Sequence, residues 1–509
     1  MKLVRSAGIL LHPTSFPGPD GIGDLGPEAY SWVDFLKSSG CSLWQTLPLG
    51  PTGYGDSPYQ CFSAFAGNPY LVSPQLLLDE GLLEISDFDD RPKFDPRVVN
   101  YGLAVSWKME LLRRAFKRFD RHSADFKAFC EENSDWLEDY AMYRAIKDKN
   151  GGALWLNWEA GLKSRDPKAL AAFKAANEDE VDFRKFAQYC FFKQWTNLKK
   201  YANRQGITII GDIPIFVSLD GSDVWAHPEQ FMLDGEGNPT VVAGCPPDYF
   251  SPTGQLWGNP LYRWSLHKEQ NFDWWMKRIR ATLKLCDLIR LDHFRGFAGY
   301  WEIPAGDATA EHGRWVEGPG EALFDQMLKE FGSLPIIAED LGEISQDVID
   351  LREKYGLPGM KVLQFAFGEG ANNAFLPSNF ESNFIAYTGT HDNQTTMGWF
   401  KDADPRWREF ACRYLNSNGE HFSWDAIRSI WQSVAVYAIA PLQDFLELGD
   451  EGRMNRPGAM FGNWGYRYTH ADLTPDLAFG ILNFNNTYNR IPEISGRPLM
   501  HADIHYNKA

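Results

Sequence analysis

Three carboxylates stand where short apolar runs end: Asp292 in LIRLDHFRGF (288–297), Glu339 in PIIAEDLG (335–342) and Asp392 in TGTHDN (388–393). Arg290, His293 and Arg295 crowd the first of these, and His391 precedes the third. Bringing ionised groups to the end of an inward-packed strand costs on the order of several kcal/mol unless they are paired. Each acid alone has an ordinary use: Asp292 can pair with Arg290 on the same strand face, Glu339 or Asp340 can cap a turn, and Asp392 can fix a loop. Three acids aimed at one place cannot all ionise freely, so one is pushed toward its protonated form. A carboxylate that attacks beside a carboxylic acid that donates to the leaving oxygen is what breaking a glycosidic bond requires.

Convergence needs a scaffold, and the chain repeats one unit. Eight short apolar runs end in Pro, Gly or charge: 7–13, 42–50, 207–216, 286–293, 335–342, 360–367, 383–392 and 434–444. Helical patterns lie between most of them, as at 27–40, 271–285 and 345–356. Apolar strands alternating with amphipathic helices predict parallel βα units, and eight of them predict a closed (β/α)8 TIM barrel, in the α/β class. Strand ends of a barrel form one ring, so acids distant in sequence meet at its C-terminal mouth. Two intervals exceed a simple crossover: 51–206, mainly helical, after the second strand, and 217–270, loop-rich, after the third. Both read as insertions walling the cleft within one catalytic domain over 1–509. No separate β-sandwich domain is expected after the barrel, where TPDLAFGILNFNNTYNRIPE reads as a closing helix.

The formal charge of −17 argues against nucleic acid and anionic membrane surfaces as partners. Seven scattered cysteines, none in a CxxC pair, read as reduced thiols, and the apolar GILL near the start is too short for a signal peptide. A cytoplasmic protein is the expectation. GIGDLG (21–26) matches the dinucleotide fingerprint, but PTSFPGPD separates it from its strand and the second strand lacks a terminal acid, so it reads as a turn before a helix. DGEGN (234–238) lacks the later ligands of a calcium loop, and no HExxH or third zinc ligand accompanies the His-Asp neighbours. No metal is indicated. The 19 Trp, 20 Tyr and 35 Phe supply core and also flat faces for sugar rings.

The acid-bearing motifs, together with GYGDSPYQCFSAFAGNPYL (53–71) and GCPPDYFSPTGQLWGNPLY (244–262), resemble the amylomaltases: 4-α-glucanotransferases, or disproportionating enzymes, of the α-amylase clan. The likeness runs in order from about Leu11 to Arg467. It implies Asp292 as nucleophile, Glu339 as general acid/base and Asp392 as transition-state stabiliser, with Arg290 orienting Asp292. It places His391, His293, Ser57 and Tyr59 around the sugar next to the cleaved bond, Asp212 as a supporting acid on the third strand, and Tyr249 and Trp257 on the acceptor-side loop. Tyr54 and Tyr101 would offer a second glucan site. The clan's amylases carry an Asn-His pair after the third-strand acid, whereas Asp212 is followed by IPIFVS, which departs from a plain amylase and suits the amylomaltase pattern. The implied partners are α-1,4-glucans and maltooligosaccharides as donors and glucose or glucan as acceptor, with no cofactor. A retaining α-1,4-glucan hydrolase with the same acids is the alternative, and a non-catalytic glucan binder, which needs no raised-pKa acid, a third.

Overall fold

Eight parallel strands close a barrel in the computed structural model, which describes residues 3–247, 251–459 and 461–492, with the side chain of Tyr54 outside that description. The described residues form twelve strands in all, the barrel's eight among them: β1 (Ser6–Leu10), β2 (Leu43–Gln45), β3 (Thr208–Pro214), β4 (Val241–Cys245), β5 (Gln255–Pro260), β6 (Leu288–Asp292), β7 (Gly299–Pro304), β8 (Arg314–Glu317), β9 (Ile336–Ala338), β10 (Gly359–Val362), β11 (Phe384–Tyr387) and β12 (Tyr437–Pro441). The barrel order is β10-β11-β12-β1-β2-β3-β6-β9. The ring closes between β9 and β10, where the Ala338 amide donates to the Pro358 carbonyl at 2.9 Å and the Met360 amide to the Asp340 carboxylate at 2.7 Å. All eight apolar runs of the sequence therefore become barrel strands. They read as continuous apolar runs because both faces are covered: every residue of β1, β11 and β12 is buried.

Helices Pro27–Ser38, Asp273–Leu285 and Gln346–Lys354 fall on the helical patterns of the sequence. The crossover from β10 to β11 departs from the ideal unit. Residues 363–383 carry short 3₁₀ turns at Leu363–Phe365 and Pro377–Asn379 and no α-helix. Gly368, Gly370 and Pro377 disfavour helix there. The loop-rich reading of 217–270 is also incomplete. Strands β4 and β5 lie in it and join β7 and β8 in an antiparallel sheet ordered β5-β4-β7-β8. Gly and Pro interrupt the pattern of β4 and β5, which hid them.

Between β2 and β3 the chain runs through helices including Tyr101–Arg118, Leu137–Lys149 and the 27-residue Glu178–Arg204. The last of these holds the 53–71 motif and the chain just after it by two buried glutamines. Gln188 accepts from the Gly67 amide at 2.7 Å and donates to its carbonyl at 2.8 Å, and Gln194 grips the Ser73 backbone likewise at 2.7 and 3.2 Å. A Cβ on Gly67 would fall about 1.9 Å from the Phe191 ring, so only glycine lets this helix approach. Asp223 completes the grip by accepting from the Ala64 amide at 2.9 Å. After β12, helix Pro475–Thr487 packs back on the barrel, its Asn485 accepting from Trp431 Nε1 at 2.7 Å and donating to the Ser39 carbonyl at 2.8 Å. No further sheet follows among the described residues, and no described helix is long and apolar enough to cross a membrane.

Candidate active site

Strand register builds the floor of the site. Asp212 on β3 pairs directly with Arg290 on β6, and Asp292 lies two residues further along the same strand. Paired residues, and residues two apart, share a face. One nitrogen, Arg290 Nη1, therefore meets Asp212 Oδ2 at 2.6 Å and Asp292 Oδ1 at 2.8 Å. Tyr59 of the 53–71 motif donates its hydroxyl to the same Asp212 oxygen at 2.8 Å. Burial alone would lower the Arg290 pKa, but the two carboxylates outweigh it and hold the guanidinium charged. Burial pushes Asp212 upward against the pull of Arg290, and one of its oxygens has no protein partner. The same burial, with the charge of Asp212, holds the Tyr59 phenol well above its usual range, so it stays a donor.

Glu339 follows β9 directly and has a different environment. Its Oε2 accepts from the His293 amide at 2.7 Å and its Oε1 from the Leu341 amide at 3.0 Å. His293 takes a left-handed backbone at φ 52°, immediately after Asp292, and so links the end of β6 to the glutamate. Burial, and next the charge of Asp292, push Glu339 up to about 8, against Arg290 and the two amides. The acid is thus protonated at neutral pH, beside an Asp292 that is ion-paired. Two carboxyls in contrasting environments supply a donor and a nucleophile.

Asp392 lies five residues past the end of β11, in a turn, with its side chain 46 % exposed. His391 Nε2 approaches Asp392 Oδ1 at 3.3 Å, and Asn455 Nδ2 donates to the same oxygen at 2.6 Å. The His391 ring stacks on Tyr59 with centroids 5.1 Å apart and planes 8° from parallel, and Trp464 borders both. Burial lowers His391 and takes His293 down to about 4. Both imidazoles are neutral at pH 7, so neither opposes positive charge developing on a sugar.

Of the remaining residues named from the sequence, those described take different positions. Trp257 on β5 meets the His293 ring edge-on at 4.8 Å. Ser57 turns inward on its own loop, accepting from the Tyr59 amide at 3.2 Å. Tyr101 opens helix Tyr101–Arg118 and spends its hydroxyl on the Trp464 carbonyl at 2.9 Å. Tyr54 sits in the 3₁₀ turn Tyr54–Asp56 with its side chain outside the description, and Tyr249 lies outside the described residues. Asn455, Arg453, Trp464 and His12 had no part in the reading of the sequence. His12 alone carried a signal, since it closes the first apolar run as Asp292 closes the fourth. Its Nδ1 meets Thr46 Oγ1 at 3.2 Å, and burial takes it down to about 3. Among the described residues no three His, Cys, Asp or Glu side chains are placed to hold a metal ion. DGEGN is a turn closed by Asp234, which accepts from the Glu236 and Asn238 amides at 2.9 Å.

The sequence matches a family model described as 4-alpha-glucanotransferase over residues 11–474. A 4-alpha-glucanotransferase of Thermus thermophilus is 50% identical over 489 residues, spanning 94% of this chain and 97% of its own. One from Synechocystis is 47% identical over 508 residues, spanning 98% and 99%. Among solved structures, the amylomaltase from Streptococcus agalactiae in complex with acarbose matches with a TM-score of 0.93 and 40% identity, over 96% of this chain and 99% of that one. The amylomaltase from Corynebacterium glutamicum shares the fold at a TM-score of 0.76 and 18% identity, over 96% and 74%.

Proposed function

The chain belongs to the 4-alpha-glucanotransferase family, and on that premise we propose how its residues transfer an α-1,4-glucan segment. The donor chain lies across the barrel mouth between the insertions 51–206 and 217–270, which wall the cleft. Glu339 gives its proton to the glycosidic oxygen while Asp292 attacks the anomeric carbon. The C–O bond to the leaving chain breaks, a glucosyl ester to Asp292 forms, and the shortened fragment departs with a free 4-hydroxyl. Glu339, now ionised, takes the proton of an incoming 4-hydroxyl as that oxygen displaces Asp292, so the bond is remade with its original configuration. Asp392 meets the positive charge of the oxocarbenium-like transition state, with His391 and His293 as neutral hydrogen-bonding neighbours. The observation that carries this reading is the contrast between Glu339, held by two amides and pushed up to about 8, and Asp292, held by Arg290.

Donors in this reading are maltooligosaccharides or longer α-1,4-glucans, and acceptors are glucose or another glucan. Trp257, beside His293, forms the acceptor side, to which the family resemblance also assigns Tyr249, with Ser57 and Tyr59 on the donor side. The family resemblance assigns Tyr54 and Tyr101 to a second glucan-binding surface, and the Tyr101 ring is partly exposed. A cytoplasmic location is supported by thiols such as Cys41, Cys190 and Cys286, which are buried and free. The test is incubation with maltotriose, separating products by length while counting reducing ends. Glucose plus a ladder of longer chains with reducing ends unchanged is the expected result. Shorter sugars alone, with reducing ends rising, would assign hydrolysis instead.

A further inference from the structure

Of the three acids at the mouth, two are positioned by strands and one is not. Asp292 is the last residue of β6 and Glu339 follows β9 directly, whereas Asp392 stands five residues beyond β11. A loop aspartate that is half exposed has several rotamers open to it, and only one aims at a given atom. Something other than the barrel must fix it.

Residues 453–455, closed by Trp464, do so. Asn455 Nδ2 donates to Asp392 Oδ1 at 2.6 Å, and the Asn455 amide donates to the His391 carbonyl at 3.0 Å. Arg453 donates through Nη2 to the Asp392 main-chain carbonyl at 3.0 Å and through Nε to the Asn455 carbonyl at 2.8 Å. The far end of the segment is cinched back, since the Trp464 amide donates to the Met454 carbonyl at 2.7 Å. That closure holds Trp464 in a left-handed backbone at φ 61°, a region a bulky residue rarely enters without compensation. The compensation is visible: the ring is 5 % exposed, bordering His391 and Tyr59, and the carbonyl accepts the Tyr101 hydroxyl at 2.9 Å. Beyond it the chain is zipped to the insertion, with the Val99 amide on the Gly465 carbonyl and the Arg467 amide on the Arg97 carbonyl, both at 2.9 Å.

We propose that Asn455 is a positioning residue for Asp392, and that Tyr101 pins the segment that carries it. This rests on the reading of Asp392 as transition-state stabiliser. The choice of an amide has a physical reason. Asp292 is held by a guanidinium, which offsets its charge, but a stabiliser must keep its charge for the developing cation. Asn455 fixes the direction of the carboxylate without neutralising it, and the nearby Arg453 is spent on backbone carbonyls. The groups facing Asp392 are Asn455, His391 and Arg453 around the turn, with Tyr59 across the mouth.

The test compares N455A, N455D, Y101F and D392N with wild type in kcat and KM on maltotriose, in Tm, and in kcat across pH. Losing a hydrogen bond to a charged group lowers kcat of N455A by about 10–100-fold, with KM changed far less. Y101F shows the same signature at about 2–10-fold. N455D sets two carboxylates against each other, which must share a proton, so its loss at neutral pH is recovered in part on acidification. A role confined to folding would lower the N455D to wild-type ratio equally at every pH and would track Tm. An N455A enzyme within twofold of wild-type kcat, a flat N455D ratio, or an unchanged Y101F would overturn the proposal. D392N separates the two readings. If D392N is inactive while N455A is normal, only the positioning fails; if D392N turns over normally, the stabiliser assignment itself fails.

Discussion

Replacing Glu339 with Gln isolates proton donation from everything else the residue does. At pH 7 a carboxylic acid at its ordinary value of 4.5 is roughly 0.3 % protonated, and one at about 8 is roughly 90 %, a gain of about 300-fold in the acid form. That gain is what the buried seat of Glu339 supplies, and E339Q forfeits it together with the proton. Turnover on maltotriose is expected to fall by about 10²–10⁴, the usual span of general acid–base catalysis. The substitution has a structural price as well, because both Glu339 oxygens accept amides, from His293 and Leu341. A Gln side chain must turn its NH₂ toward one of them, leaving donors unpaired at about 1–3 kcal/mol. A drop of a few degrees in Tm is therefore expected and does not by itself explain lost turnover. An α-maltosyl fluoride donor decides the matter, since fluoride leaves without a proton. E339Q should then release a rapid burst of about one fluoride per active site as the ester to Asp292 forms, followed by slow turnover for want of a base. An E339Q enzyme as slow in its first turnover on the fluoride as on maltotriose would refute the assignment of Glu339 as leaving-group acid, as would near-normal activity on maltotriose.

The pH profile carries the same logic with a defined sign: Glu339 must be protonated to donate, so kcat/KM should hold below its folded pKa and fall about tenfold per unit as pH rises beyond about 8. A profile still flat at pH 9.5 would contradict it. R290M removes the cation between Asp212 and Asp292, and breaking such a buried arrangement costs roughly 3–5 kcal/mol, so thermal denaturation should show a clear loss of stability together with lost activity. R290K keeps the charge but must reach both oxygens from a shorter stem, and should fall between the two; an R290M protein as stable as wild type would show that the arginine is not needed to hold the acids together.

The barrel was legible because its strands are buried on both faces and therefore stand out as apolar runs. The acids were legible for the opposite reason: a charge at the end of such a run has no cheap place except an open mouth. The antiparallel sheet was not read, although GYWEIP of β7 and RWVE of β8 are aromatic-rich and bounded by Gly or Pro, which is a strand signal. Its partners β4 and β5 are too broken by Gly and Pro to suggest pairing. The absence of a helix between β10 and β11 agrees with the local chemistry of FGEGANNAFLPSN, which the repeat of βα units does not itself reveal. Asn455 was beyond reach for another reason. Sixty-three residues separate it from Asp392, and its contact depends on a loop closure around Trp464 that no periodicity marks. Tertiary contacts made by single polar residues on loops leave no pattern in composition or spacing.

Asp212 explains how one arginine can serve a nucleophile without spoiling it. A lone guanidinium beside Asp292 would orient it, but would also withdraw its charge and repel the cationic transition state. Arg290 instead gives its shortest contact, 2.6 Å, to Asp212, whose side chain is wholly buried, and 2.8 Å to Asp292, whose side chain is 29% exposed toward the mouth. Arg290 divides its one positive charge between the two aspartates, and Tyr59 donates to Asp212 as well. The negative charge of Asp292 is then offset only in part at the mouth. Asp392 adds a second, held by an amide rather than a cation, while Glu339 is protonated and both imidazoles are neutral. The mouth therefore presents two carboxylates, one of them only partly offset by Arg290, to a reacting sugar that becomes positive, and one proton where the leaving oxygen needs it. Sharing one buried cation beneath the floor and leaving the carboxylates toward the rim is what turns a costly concentration of acids into preorganised stabilisation.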